Sequence, residues 1–125
     1  MRQSMKNEKL ISSMTLQQKA SLMSGKNFWS TQAIPDRNIP SIFLTDGPHG
    51  IRRQALGGDH LGLNESLVAT CFPTAATLAN SWDVELLKEV GTYLGKEAKV
   101  QKVSVLLGPG TNIKRNPLGG RNFEY

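Results

Sequence analysis

Two short apolar runs end in the same abrupt way, and that pattern constrains this chain most. Ser41-Ile42-Phe43-Leu44 runs into Thr45-Asp46-Gly47-Pro48-His49-Gly50-Ile51-Arg52. Val103-Ser104-Val105-Leu106-Leu107 runs into Gly108-Pro109-Gly110. Each reads as a buried strand that stops at a tight polar turn. Between them, Leu86, Val90, Leu94 and Ala98 recur every four residues, the stripe of an amphipathic helix. Strand, helical crossover, strand implies parallel pairing and an α/β fold. In such folds the chemistry sits on loops at the C-terminal ends of the strands.

The loop after the first strand is therefore the first place to look for a site. Asp46 is its first acid, and Gly47 and Gly50 let the backbone turn beside it. Pro48 fixes one dihedral, and Arg52 follows six residues after Asp46. A carboxylate and a guanidinium on one loop suit a neutral polyol, since one accepts from hydroxyls and the other donates to them. The same residues equally fit an aspartate that caps its own turn and pairs with Arg52.

Other elements are legible around these strands. Residues 1–13 form a polar segment expected to be a frayed helix. Thr15 is a helix cap, with Gln18 completing a capping box; Leu16, Ala20 and Met23 share a face, and Gly25 stops the helix. Phe28 and Trp29 lie in a loop and are expected to pack on the core. Pro35 and Pro40 bracket the entry to a strand over 41–45. Residues 53–70 read as loop, Thr70-Cys71-Phe72 as a brief buried strand, and Pro73 as the first turn of a helix over 74–81. Asp83 opens the long helix, in which Gly91 and Gly95 make sense if another element presses on that face. Lys99 and Lys102 fall near its C-terminus, where the helix dipole favours cations.

Composition excludes several classes. The 125 residues make room for one small domain. No apolar run approaches the ~20 residues of a membrane span. Behind Met1-Arg2-Gln3-Ser4-Met5-Lys6 there is no apolar stretch, so no secretory signal is read. Cys71 is the sole cysteine, so no internal disulfide forms, and a cytoplasmic location is expected. The net charge of +5 is scattered. Its densest patches, Lys96 to Lys102 and Lys114-Arg115, do not interleave aromatics, so a solvated surface is expected rather than a nucleic-acid partner. Asp59 with His60, and Asp46 with His49, lack a third ligand at a metal-binding spacing, so neither metal nor cofactor is expected.

Four segments in order also carry a family likeness. Met14-Thr15-Leu16-Gln17-Gln18-Lys19-Ala20, Thr45 to Arg52, Cys71-Phe72-Pro73-Thr74-Ala75-Ala76, and Leu106-Leu107-Gly108-Pro109-Gly110 through Asn122-Phe123-Glu124-Tyr125 resemble the N-terminal part of family 3 glycoside hydrolases, the β-glucosidase branch. The resemblance runs from about Met14 to Tyr125. It implies a partial family 3 domain over 14–125, the incomplete N-terminal half of a TIM-type (β/α)8 barrel, a fold that takes ~250 residues.

The resemblance implies a function as well: hydrolysis, with retention, of terminal non-reducing β-D-glucosyl residues. Asp46 would bind distal hydroxyls of the sugar, and Arg52 and Arg121 would reach the same ring. Glu124 would sit close enough to orient Arg121. No catalytic residue is carried over: in the family the nucleophilic Asp, the acid/base Glu and a sugar-holding Lys-His pair all come later. The segment would need the rest of the barrel and a following α/β sandwich domain, and alone it is expected to be inactive and to self-associate. A non-catalytic remnant or sugar-binding fragment is the alternative. One departure is Lys102, which stands where the family commonly has glycine after the helix; a positive φ there would cost roughly 1 kcal/mol.

Overall fold

The computed structural model describes residues 7–47, 49–55 and 65–125. They form two compact units, Met1–Phe43 and Leu44–Tyr125.

In the first unit, helices α1 (Glu8–Ser13) and α2 (Leu16–Leu22) meet at the expected cap. Gln18 N–H donates to Thr15 Oγ1 at 3.1 Å, and Thr15 N–H donates to Gln18 Oε1 at 3.0 Å. This reciprocal pair satisfies two backbone donors that the helix start leaves free. Helix α2 ends at Leu22, short of Gly25. Gly25 serves the following turn: a Cβ there would lie 2.6 Å from the Asn27 carbonyl oxygen. Leu16 and Met23 are exposed rather than forming a buried face; Met14 and Ile34 are the buried apolar residues of this unit. Pro35 opens a single 3-10 turn, Pro35–Arg37.

The strand expected over 41–45 is much shorter. Thr31 N–H donates to the Ile42 carbonyl at 3.0 Å, and Ser30 bridges Phe43 in antiparallel fashion. Residues 42 and 43 thus direct backbone pairing back into the first unit. Only β1 (Leu44–Thr45) pairs in parallel with β2 (Val105–Leu106), with Leu44 opposite Val105 and Thr45 opposite Leu106. The parallel pairing and its helical crossover are those expected from the apolar runs.

In the second unit the crossover consists of α3 (Ala75–Asn80) and α4 (Val84–Val100). Thr74 caps α3, so Pro73 lies before the cap rather than in the first turn. Asp83 caps α4 through Leu86 N–H at 3.0 Å. The end of α4 is a Schellman turn. Val103 N–H reaches the Ala98 carbonyl at 2.8 Å and Lys102 N–H the Lys99 carbonyl at 3.2 Å. Lys102 occupies the left-handed position with φ 55°, the conformation for which glycine is the usual choice.

Thr70-Cys71-Phe72 is not a strand, and Thr70 and Cys71 are exposed. Side chains hold this stretch instead. The Glu97 carboxylate accepts Thr70 N–H at 3.2 Å and Thr70 Oγ1–H at 2.5 Å. Gln101 Nε2 donates to the Val68 carbonyl at 3.1 Å, and the Arg53 guanidinium donates to the Gln101 carbonyl at the end of α4. A sequence scan for alternating apolar residues cannot see such support. The apolar stripe of α4 is half-covered, and no atom lies within 4 Å of a Cβ placed on Gly91 or Gly95. Among the described residues no other element presses on these glycines. They border an open apolar groove of about 750 Å³ walled by α3, α4 and the residues after β2. Among the described residues, no helix is long and apolar enough to cross a membrane.

Candidate functional site

The turn after β1 is built around a buried hydroxyl. Thr45 is 1% exposed, and its Oγ1–H donates to the Arg52 carbonyl at 2.5 Å. Arg52 N–H donates to the Asp46 carbonyl at 3.1 Å, so Asp46 and Arg52 form an antiparallel bridge. Gly47 makes this closure sterically possible: its φ is 123°, and a Cβ would fall 1.8 Å from the Gly50 carbonyl oxygen. Gly50 lets the loop approach the next segment, since a Cβ there would stand 2.2 Å from the Thr70 carbonyl oxygen. Phe72 N–H then donates to the His49 carbonyl at 2.6 Å. Ile51, buried between these polar neighbours in sequence, anchors the loop in the core.

The backbones of Asp46 and Arg52 are paired, but their side chains are not. Among the described residues no ion pair joins them, and the Asp46 residue is exposed. The Arg52 guanidinium makes no hydrogen bond to a described residue, and its Nη2 is buried. A buried donor without a partner costs about 1–3 kcal/mol, and more when charged. The simple alternative from sequence, an aspartate and arginine neutralising each other, is therefore not what the loop does.

The third expected position lies on the C-terminal turn. Residues Asn122–Glu124 form a 3-10 turn, which places Glu124 one turn after Arg121. The Arg121 Nε–H donates to Glu124 Oε1, as expected from sequence, while the guanidinium side chain stays 77% exposed. That hydrogen bond, opposed by burial and reinforced by the charges of Arg121 and His49, holds the Glu124 carboxyl below its usual range. The same hydrogen bond and the Glu124 charge raise Arg121. The edge of the Tyr125 ring abuts Gly110, where a Cβ would meet it at 2.7 Å, and its hydroxyl accepts from Asn112 Nδ2 at 3.3 Å. Lys114 Nζ donates to the Tyr125 backbone oxygen at 3.2 Å. The loop after β2 and the C-terminal turn are thus held together.

Sequence reasoning missed the tie between the two halves. His49 Nε2 lies 2.9 Å from the Glu124 carbonyl oxygen. A carbonyl only accepts, so Nε2 carries the proton. Seventy-five positions separate these residues, and no periodicity or short motif reports such a pairing. Asp46, Arg52 and Arg121 therefore belong to one connected loop system, running through His49 and Glu124. Asp59 and His60 lie outside the described residues.

No family model matches the chain. Curated relatives do. Thermostable beta-glucosidase B of Acetivibrio thermocellus is 55% identical over 118 residues, covering 94% of this chain and 16% of the relative. Exo-alpha-(1->6)-L-arabinopyranosidase of Bifidobacterium longum is 50% identical over 116 residues, covering 92% and 15%. Among solved structures, the GH3 beta-glucosidase of Bifidobacterium adolescentis superposes with a TM-score of 0.76 at 48% identity, over 92% of this chain and 15% of that one. The beta-glucosidase of Kluyveromyces marxianus in complex with glucose gives 0.82 at 36% identity, over 97% and 14%. The chain thus spans about a sixth or less of the length of these proteins. Over nearly all of its residues the chain is thus similar in sequence and backbone to a segment of glycoside hydrolase family 3 beta-glucosidases, the part that matches their N-terminal barrel domain.

Proposed function

We propose that this chain supplies part of the sugar pocket of a retaining β-glucosidase acting on terminal non-reducing β-D-glucosyl residues. The observation that carries the reading is the Arg52 guanidinium, held half-buried beside Asp46 without a hydrogen-bond partner among the described residues. A pyranose ring answers that arrangement: its hydroxyls accept from Arg52 and donate to the Asp46 carboxylate. Arg121, pre-set by Glu124, adds a second guanidinium. The chemistry itself is assigned elsewhere. Retention needs a nucleophilic carboxylate and an acid/base carboxyl about 5–5.5 Å apart across the scissile bond. Neither is assigned to an acid of this chain, so these residues bind and orient while later parts of the barrel and a following α/β sandwich domain act on the bond.

The arabinopyranosidase relatives favour a second reading of the sugar alone, in which the same pocket takes a different pyranoside. Replacing the matching segment of the 55%-identical relative with this chain tests both readings. Aryl β-D-glucoside is the expected substrate, with the chain by itself giving no turnover. Preference for aryl α-L-arabinopyranoside selects the second reading, and turnover by the isolated chain contradicts the binding-only role.

A further inference from the structure

We propose that His49 is a positioning residue for this pocket, fixing the Arg121 turn to the Asp46–Arg52 loop through its Nε2–H bond to the Glu124 carbonyl. The inference rests on the sugar-pocket reading above and adds to it a residue that touches no sugar. Three observations support it. First, among the described residues this is the one hydrogen bond between the Asp46–Arg52 loop and the Asn122–Glu124 turn. Second, the acceptor is the backbone of Glu124, whose side chain orients Arg121, so a shift of His49 moves both the Arg121 partner and its anchor. Third, His49 cannot drift. Its carbonyl is held by Phe72 N–H at 2.6 Å, and the adjoining Gly50 lies against the Thr70 carbonyl. Its Nδ1 is buried and meets no donor among the described residues, so the ring has a single polar tether. The contacts of Tyr125 tie the Arg121 turn to the loop after β2, and the His49 donor ties it directly to the loop that carries Arg52.

The tautomer gives a direct readout on the chain itself. Ring ¹⁵N shifts should report Nε2–H rather than Nδ1–H. In His49→Phe the ring volume stays but the donor goes, and exchange at the Glu124 amide and the Arg121 Nε–H should quicken. His49→Gln restores a donor near the Nε2 position and should reverse this. In the segment-replaced enzyme, His49→Phe should raise KM about 10-fold, the effect of one hydrogen bond, with little change in kcat. His49→Gln should recover most of it. A residue that only stabilises the fold lowers the melting temperature and the active fraction while leaving KM alone. Equal KM in His49→Phe and the parent, or equal behaviour of the Phe and Gln variants, overturns the inference. Asp46→Ala run alongside separates the two ideas: if it raises KM while His49→Phe does not, only the positioning role fails. If Asp46→Ala leaves KM unchanged, the pocket reading fails and the positioning role falls with it.

Discussion

Asp46 and Arg52 are bridged through their backbones, by Arg52 N–H on the Asp46 carbonyl at 3.1 Å, while their charged side chains make no ion pair among the described residues. The loop thereby fixes where two opposite charges start without letting them consume each other. That arrangement suits a ligand that both donates and accepts.

The turn depends on its glycines. Gly50→Ala would push a Cβ to 2.2 Å from the Thr70 carbonyl oxygen, a clash with backbone that no rotamer relieves. The expected loss is about 1–3 kcal/mol of stability, or a displaced loop. Denaturant unfolding of the variant checks it; unchanged stability with unchanged amide shifts at Arg52 would contradict the packing described.

Lys102 should be replaceable with profit. At φ 55° in the Schellman turn of α4, it adopts a conformation that glycine takes without steric cost. Lys102→Gly is expected to stabilise the chain by roughly 1 kcal/mol, read as a shift in the urea midpoint at constant slope. A loss of stability would mean that the lysine side chain contributes more than its backbone strain costs.

The Arg121–Glu124 pair has a pH signature. The Glu124 carboxyl titrates below its ordinary 4.5, chiefly because it accepts from Arg121. A lowered folded value means the pair's contribution is fully present above about 4.5 and lost as pH falls through the folded value. A ¹³C titration of Glu124 should therefore show a midpoint below 4.5, moving back up in Arg121→Gln. An unmoved midpoint in that variant would remove Glu124 from its orienting role.

The open groove predicts association. Leu87 is 44% and Leu107 48% exposed on the second unit, and among the described residues the sheet has only two strands, each with an unpaired outer edge. Such surfaces pair with other chains unless covered. In the proposed enzyme the rest of the barrel covers them; in isolation the chain is expected to self-associate. Light scattering over a concentration series checks this. Leu87→Glu should lower the association, and a stable monomer in the parent would show that the core is self-sufficient.

Local rules carried far in this chain. The capping box at Thr15 and Gln18 and the Asp83 cap follow from a few adjacent residues, the parallel pairing of β1 with β2 from the order of strand, helix and strand, and the positive φ at Lys102 from the family likeness. Legibility failed where partners lie far apart in sequence. Residues 42 and 43 look like strand by apolar content, yet their backbone groups turn to Thr31 and Ser30. Thr70-Cys71-Phe72 reads as buried strand, yet Glu97 and His49 hold it as extended loop. Gly91 and Gly95 imply a close neighbour that the described residues do not supply. In the site, Asp46 and Arg52 came from the chemistry of their loop and Arg121 from motif likeness, whereas the tie through His49 emerged only from geometry.

The most direct measurement compares Asp46→Ala with Lys99→Ala in the segment-replaced β-glucosidase, taking kcat and KM for an aryl β-glucoside. Asp46 would accept from two neighbouring hydroxyls, each bond to an ionised acceptor contributing about 1.5–3 kcal/mol. Its loss should cost about 3–5 kcal/mol in kcat/KM, or roughly 10²- to 10⁴-fold, with part of it in kcat because remote hydroxyl contacts help distort the ring. Lys99→Ala, on the exposed last turn of α4, should change almost nothing. Equal kinetics in the two variants would make the Asp46 loop a structural turn and remove it from the sugar pocket.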